Sequence, residues 1–491
     1  PTISRIVLRN YRRFQNLDLN LSSETNLIIG DNEAGKSSVL EAIDLVLSGT
    51  RSRIENVGLV GLLNKKVVDD FNGLGNRTMA DLPQLSVDVC FRDLDNHRFK
   101  GENNSFAENA VGIKLVILPD QNLQAEIELV LKEEGGNFPY EFYKVKFSTF
   151  SGEGYSGHSR PNSFIHINNT AGNSEYTASM YVKTLYEGHA KPSVVSRHQN
   201  RYRNLQKEFS QEVLKEVSGD TDDYTFAIKS SKRDGLKSSL TIEEDGMPIE
   251  NRGSGMKSFI KTDLAIRKSA ERGGTDLVLL EEPENHLSHS NMRKLVDDVV
   301  VNSGSQVILT THSSMVASRL DLRKAILLNS RGETPFDFGD LSKSASEFFM
   351  KSPDNRILEL VLSDKVILVE GHAEYILIET LYQAQTARSL NADNIHVIAV
   401  GGTGKIFSYY LELAQKTGIK VAVVRDNDGD KKANCIDMYT EFDVAEKIKV
   451  FYDDSEELTT FEESFYNSNV ALCEEVFGER RDKSAIQKIH A

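Results

Sequence analysis

The sequence predicts an α/β fold assembled from strand-to-helix units, and three segments carry that expectation. Asn26-Leu-Ile-Ile-Gly30, Val366-Ile-Leu-Val-Glu370 and Lys420-Val-Ala-Val-Val-Arg-Asp426 are apolar runs that stop abruptly at glycine or acid. Such runs suit strands buried on both faces of a parallel sheet. The first leads through a glycine-rich loop into the helical pattern Val39-Leu40-Glu41-Ala42-Ile43, and the second leads into Gly371-His-Ala-Glu374. With 491 residues, 39% hydrophobic and 27% charged, the chain can bury a large core and divide into two or three domains.

Taken in order, residues 3–8 and 17–21 read as a strand pair, and the glycine-rich loop follows. Strand-like segments recur at Leu85–Phe91, Gly112–Leu118 and Leu123–Leu131, and the Gly, Ser and Pro of Ser151–Asn162 mark a loop. From Ser174 to Val217 the pattern is helical and charged. Strand character returns at Thr225–Ile228 and Ser239–Ile242, and Gly253-Ser254-Gly255 introduces a helix over Met256–Ser269. Pro353-Asp354-Asn355 marks a boundary near Ser352–Ser363. The expected domains are therefore an N-terminal lobe over 1–170, a helical insertion or dimerisation segment over 171–220, a second lobe over 221–352 and a further α/β domain over 363–491.

Composition excludes several classes. No apolar stretch reaches the length of a membrane span, and the N-terminus lacks a secretory plan, so a cytoplasmic location without membrane contact is expected. Cys90, Cys435 and Cys473 form no C-x-x-C pair and read as buried thiols. A net charge of −15 argues against indiscriminate coating of nucleic acid but leaves room for a local basic groove. Arg9, Arg12 and Arg13, and Arg197, His198, Arg201, Tyr202 and Arg203, are candidates for such a groove or for ordinary solvated faces.

Gly30-Asp-Asn32-Glu-Ala-Gly35-Lys36-Ser37 fits the G-x-x-x-x-G-K-[ST] phosphate loop, and Ser38 follows it. The loop backbone would curl around phosphate, Lys36 would neutralise the terminal phosphates and Ser37 would ligate Mg2+. Gly30, Asn32, Gly35, Lys36, Ser37 and Ser38 are thus the candidate nucleotide contacts. Asp276-Leu-Val-Leu-Leu-Glu281-Glu282-Pro-Glu284 is an apolar strand ending in acids. Glu281 would hold the metal and Glu282 would polarise water. Ser305-Gln-Val-Ile-Leu-Thr-Thr-His312 and Asn251-Arg-Gly-Ser254-Gly255 complete an order of motifs that resembles the ABC-type ATPase head, with His312 as switch histidine and Ser254 in a signature lacking its usual Leu-Ser-Gly-Gly form. That resemblance implies ATP as cofactor and a dimer in which Lys36 and Ser254 act from different subunits. The lack of sustained heptads argues against a long-armed SMC or Rad-type machine.

The second constellation is acidic. Glu370 and Glu374, four residues apart, share one side of a helix start, while Asp426, Asp428 and Asp430 follow the third apolar run. Carboxylates so gathered repel one another, and hard divalent cations such as Mg2+ or Mn2+ offset the charge. A calcium loop is set aside because Lys431 and Asp437 stand where glycine and glutamate are needed. Gly401-Gly-Thr-Gly404-Lys405 reads as a tight strand-to-helix turn and not as a second phosphate loop, since Ala399 and Ile406 break that pattern. The strand ending in Glu370-Gly, the strand Val397-Ile-Ala-Val with its turn, and the strand ending in Asp426-x-Asp428 together resemble a Toprim domain. Glu462, expected to follow another strand, matches a later acidic position, and Thr460 or Glu463 are possible helpers.

An ABC-type head followed by a Toprim domain resembles the OLD (overcoming lysogenization defect) family of nucleases, which includes phage-exclusion, Gabija-type and retron-associated members. The resemblance implies that Glu370, Asp426 and Asp428 hold one cation and that Glu374 and Glu462 serve another, with Asp430 nearby. It also implies a catalytic lysine, for which Lys483 and Lys488 are the candidates unless a truncated C-terminus removes it. The implied function is an ATP-regulated, metal-dependent DNA endonuclease in antiphage defence, acting as a dimer or larger assembly. A partner defence protein or a retron RNA–DNA hybrid is compatible with it. Competing readings are an RNA-cleaving effector, for example against transfer RNA, and an ATP-driven clamp or sensor with a vestigial metal site.

Overall fold

The computed structural model describes residues 1–132, 137–168, 182, 186, 192–212, 236, 239–244, 246–253, 256, 260, 263, 276–285, 290–292, 294, 297, 304–313, 316, 317, 320, 322–329, 334–351, 356–401, 404–442 and 447–477. The chain forms two compact units, one of residues 1–26 and 37–311 and the other of residues 27–36 and 312–491.

The first unit begins with a hairpin. Strand β1 (Thr2–Tyr11) and strand β2 (Phe14–Asn20) are antiparallel, and the chain turns between them with Arg12 at φ 49°. Strand β3 (Thr25–Gly30) leads through the glycine-rich loop to helix α1 (Lys36–Ser48). The antiparallel sheet continues with β4 (Leu85–Arg92) and β5 (Ala110–Pro119). Ile6, Leu8, Leu17, Leu19, Val87, Val89, Ile113 and Leu115 fall in register on one face and are buried there, as period-two alternation requires. Residues Leu123–Leu131 are not the expected strand. They form helix α2 (Gln124–Leu131), entered through a turn in which the Asp120 carboxylate accepts the Asn122 N–H. Ile127 and Leu131, four apart, are buried while Leu129 faces solvent, so a helical period lay beneath the apparent alternation. Strand β6 (Tyr143–Thr149) pairs with β5, and no strand crosses Ser151–Asn162, in keeping with the loop expected there.

Parallel strands complete this unit. Strand β7 (Phe164–Asn168) precedes helix α3 (Pro192–Glu212), which covers part of the segment expected to be helical. Strand β8 (Leu277–Glu281) lies between β7 and β9 (Gln306–Thr311), parallel to both, and β8 and β9 are apolar at their centres. The strand expected at Thr225–Ile228 lies outside the described residues, as does most of the helix expected over Met256–Ser269. Residues 239–242 are not in a strand, although Glu243–Glu244 pairs with Met247–Pro248 just beyond.

In the second unit, β10 (Ala325–Leu328) runs parallel to residues 27–30. Helices α4 (Lys343–Lys351) and α5 (Ile357–Val361) follow. Next come β11 (Lys365–Val369), α6 (His372–Thr386), β12 (Ile395–Ala399), α7 (Gly404–Thr417), β13 (Lys420–Val424), β14 (Ile448–Phe451) and α8 (Phe461–Ser468). The sheet is fully parallel in the order β12-β11-β13-β14. Helix α4 belongs to this body: Phe349 meets Tyr410 of α7 edge-on at 5.2 Å, and the Ser342 N–H and hydroxyl both donate to Glu412, at 2.6 and 2.7 Å. The body therefore begins well before the boundary expected at residues 352–363. Gly401, at φ 64°, supplies the left-handed turn after β12 that the sequence required.

Gln306 joins sheet layers of the first unit by acting as a surrogate peptide group. Its side-chain oxygen accepts the Ile3 N–H at 2.7 Å, and its amide donates to Ile3 O and Ser22 O, each at 2.7 Å. Gln306→Leu leaves the buried Ile3 groups unpaired and is expected to cost roughly 2–6 kcal/mol. Urea unfolding followed by circular dichroism measures this, since the chain has no tryptophan; a loss below about 1 kcal/mol would show that the contact is dispensable.

Candidate functional site

The phosphate loop is shaped before any ligand arrives. At Gly30 a Cβ would lie 2.6 Å from Leu328 O and 2.7 Å from the Ala34 Cβ, so close packing on β10 excludes a side chain. Gly35 turns at φ 90°. Lys36 is buried, and its ammonium donates to Gly30 O at 2.7 Å and to Asp31 O at 2.9 Å. The loop's own carbonyls thus hold the charge that an incoming phosphate would claim. Asn32 and Ser37 are exposed and Ser38 is half-buried at the start of α1. That helix has no acid in its first turn, which leaves its positive dipole end open to an anion.

Glu281 closes β8 and is 1% exposed. Burial pushes its carboxyl up, while a hydrogen bond from Ser37 and the nearby His166 pull it down, and Glu282 and Glu41 push it up further. His166 was not anticipated. It sits on β7 with Nδ1 3.2 Å from Asp44 Oδ2 and Nε2 4.0 Å from Glu281 Oε2. Burial opposes ionisation of Asp44, yet His166 and Arg53 hold its carboxyl below the usual range. The only sequence signal for this pair was a histidine in an otherwise apolar strand. Glu282 adopts φ 43°, a strained position for a residue with a side chain, and its carboxylate accepts from Asn285 at 2.9 Å. Glu284 accepts from the Thr311 hydroxyl at 2.5 Å, and His312 is exposed directly after β9. Ser254, Lys483 and Lys488 lie outside the described residues.

Some of the candidates for a basic groove have protein partners. Arg12 pairs with Glu41, Arg13 stacks 5.6 Å over Phe14, and Tyr202 on α3 reaches Ser239 at 3.1 Å, while Arg197, Arg201 and Arg203 on α3 are exposed. All three cysteines are buried and free, and no helix among the described residues is long and apolar enough to cross a membrane.

In the second unit the chain passes from β11 to β12 on one side and later to β13 on the other, so the carboxyl ends of β11 and β13 border a topological switch point. Val369 and Val424 are in register there, which sets Glu370, just past β11, near Arg425 and Asp426, just past β13. Glu374 lies in the first turn of α6, 3% exposed, and accepts the Gly371 N–H at 3.1 Å. Asp426 accepts the Phe461 N–H at 2.8 Å. Its carboxyl is pushed up to about 6, above all by burial, against the Phe461 hydrogen bond, with Glu374, Glu462 and Asp428 raising it further. Those mutual effects put the four carboxylates in one electrostatic neighbourhood.

Glu462 is buried in the first turn of α8. The strand expected ahead of it is β14, and the segment Leu458–Thr460 between them is a loop in which Thr460 caps α8 through the Glu463 N–H. Glu463 in turn accepts from Thr459 N at 2.8 Å, so the two residues cap α8 reciprocally. Asp430 is exposed and accepts the Ala433 N–H at 3.0 Å, again as a cap.

Two further residues govern this site. The Asn427 amide donates to Asp453 O, Ser455 O and Leu458 O, and its oxygen accepts the Gly429 N–H at 2.9 Å, fixing the turn in which Asp428 has φ 50°. Arg425 has a side chain only 5% exposed, lies over the Phe407 ring and pairs with both Glu370 and Asp428. An arginine closing an apolar strand was the signal for it. Among the described residues no three His, Cys, Asp or Glu side chains already surround one cation position. Glu370 and Asp428, which the sequence grouped with Asp426, turn to the guanidinium. The donors are nevertheless all carboxylate oxygens, partly buried and mutually repelling, which fits a hard divalent cation and no softer metal.

Comparison with known proteins agrees with both halves. Residues 361–428 match the family described as "Overcoming lysogenization defect protein-like, TOPRIM domain", and residues 2–127 and 120–317 match "AAA ATPase domain". The Old nuclease of Escherichia phage P2 is 26% identical over 176 residues, 34% of this chain and 30% of that protein. The DNA replication and repair protein RecF of Clostridium botulinum (strain Eklund 17B / Type B) is 56% identical over 41 residues, 8% of this chain and 11% of that protein. The chain thus spans less than a third of the length of either relative. Among solved structures, an SmcHead bound to the C-winged helix domain of ScpA aligns at 14% identity and a TM-score of 0.39, covering 68% of this chain and 96% of that one. With the AAA ATPase match across more than half of its length, the chain belongs to the AAA ATPase domain family, and it carries an OLD-like Toprim domain behind the ATPase.

Proposed function

We propose that this chain is an ATP-gated nuclease that hydrolyses DNA phosphodiester bonds at its Toprim site with divalent cations. The observation that carries the reading is the gathering of Glu374, Asp426, Asp428 and Glu462 in one electrostatic neighbourhood, with Glu370 joined to it through Arg425, at the carboxyl ends of β11 and β13. Glu374, Asp426 and Glu462 are the first candidates to hold a cation, and Glu370 and Asp428 join them when Arg425 yields. A bound Mg2+ or Mn2+ would supply positive charge against the phosphodiester oxygens. Arg425 and the capped turn around Asn427 keep the acids in place between turnovers. Similarity to the Old nuclease supports nuclease activity; DNA as the substrate and a place in antiphage defence extend that reading.

In the ATPase domain, Lys36 exchanges the carbonyls of Gly30 and Asp31 for nucleotide phosphate, Ser37 and Glu281 hold Mg2+, Glu282 polarises water and His312 senses the terminal phosphate. Ser254 serves a second copy of the chain, so closure of two heads is the gate.

Supercoiled plasmid and total RNA incubated with the protein and Mg2+ or Mn2+ test the reading. Plasmid is cut, and Asp426→Ala lowers the rate at least about 100-fold; undiminished cutting, or cutting of RNA alone, contradicts it. Glu282→Ala lowers ATP turnover about 100- to 10,000-fold, the usual worth of a general base, and unchanged turnover in a phosphate-release assay would remove Glu282 from that role.

The protonation of Asp426 adds a pH signature. Its folded-state value of about 6 means that a proton must leave before a cation is held. Mn2+ affinity measured by calorimetry is therefore expected to be about tenfold weaker at pH 5 than at pH 7. In cation-free buffer the same group binds its proton more tightly folded than unfolded, so its contribution to stability is present at low pH and is lost as pH rises from about 4 to about 6.

A further inference from the structure

A cavity of about 230 Å3 opens beside the Toprim acids, between the ends of β13 and β14 and the start of α8, and its lining includes Asp426, Phe451, Tyr452, Phe461 and Ser464. Its volume is below the roughly 300–1,000 Å3 of sites that enclose whole small-molecule ligands. Three aromatic rings in so small a space suit one flat ring system. Phe451 ends the edge strand β14 and is 47% exposed, so its ring is open to a ligand. Two positions earlier on the same strand, Lys449 is exposed and sets its ammonium 5.1 Å from the Phe451 ring centroid. Aromatic faces alternating with cations are what a single nucleic-acid strand needs, the rings for stacking and the cations for its backbone.

We propose that this cavity receives one unpaired nucleobase next to the phosphate to be cut, stacked on Phe451 with Tyr452 and Phe461 as its walls. The inference rests on the nuclease reading and names its substrate more narrowly: a strand that is single at the cut. The link to chemistry is mechanical. Phe461 lines the cavity and gives its N–H to Asp426, so a base held against that residue fixes its own phosphate relative to the acid. A paired base is stacked on both faces and can enter only after unstacking, which costs a few kcal/mol. A peptide side chain could fill the same volume, but the acids alongside would bring it nothing to cut.

The test measures binding of fluorescein-labelled single-stranded and fully paired oligonucleotides by anisotropy, in an Asp426→Asn background that suppresses cutting. Phe451→Ala and Phe451→Leu are compared with that parent, and plasmid cutting is followed in the Asp426-containing protein. Both Phe451 variants are expected to weaken single-strand binding about 5- to 150-fold, the worth of one stacked base, and to leave duplex binding within about twofold. Phe451→Tyr keeps the ring and should restore affinity. Unchanged single-strand binding in Phe451→Ala, or equal loss on single strand and duplex, overturns the base pocket while plasmid cutting by the parent sequence keeps the nuclease reading intact. If the parent sequence neither binds nor cuts nucleic acid, both fall together.

Discussion

The structure turns on how several carboxylates are kept together in a partly buried place. Glu370, Glu374, Asp426, Asp428 and Glu462 come from β11, α6, β13 and α8, and charges that close would drive the elements apart if nothing opposed them. Three devices oppose them. Arg425 pairs with Glu370 and Asp428, the Phe461 N–H at the head of α8 holds Asp426, and the raised Asp426 carboxyl keeps its proton up to about pH 6. A divalent cation would satisfy the same demand more strongly, so an arrangement that stands on weaker substitutes is poised to take one.

The ATPase half solves a similar problem with other groups. Glu281 is buried at the end of β8 beside Glu282, and the Ser37 hydroxyl and the His166–Asp44 pair offset the crowding. Lys36, meanwhile, is held by loop carbonyls that a phosphate can replace. In both halves the groups that would meet a ligand are occupied by weaker protein partners. Binding then exchanges contacts instead of creating order from a mobile loop, which limits the entropic cost of each cycle.

Much of this was legible in the sequence because strands buried on both faces leave long apolar runs, and the acids that end them stand out. Gly30, Lys36, Glu281, Glu370 and Asp426 stand out in this way as candidates, as does the turn at Gly401. What was missed depends on contacts between distant residues. Nothing local marks Gln306 as the partner of Ile3, His166 as the partner of Asp44, or Arg425 as the counter-ion of Glu370. One misreading has a plain cause. Leu123–Leu131 carries strand-like composition over a short stretch, and a cap at Asp120 started a helix instead.

Manganese soaked into crystals of the protein, located by its anomalous scattering, tests the central claim most directly. The account predicts a peak within ligating distance of Asp426 and at least one of Glu374 and Glu462, with Arg425 displaced from Glu370 or Asp428 wherever those join the ion. A peak found only at the capping acids Asp430 or Glu463, or fully bound manganese that leaves Asp426 untouched, would contradict it.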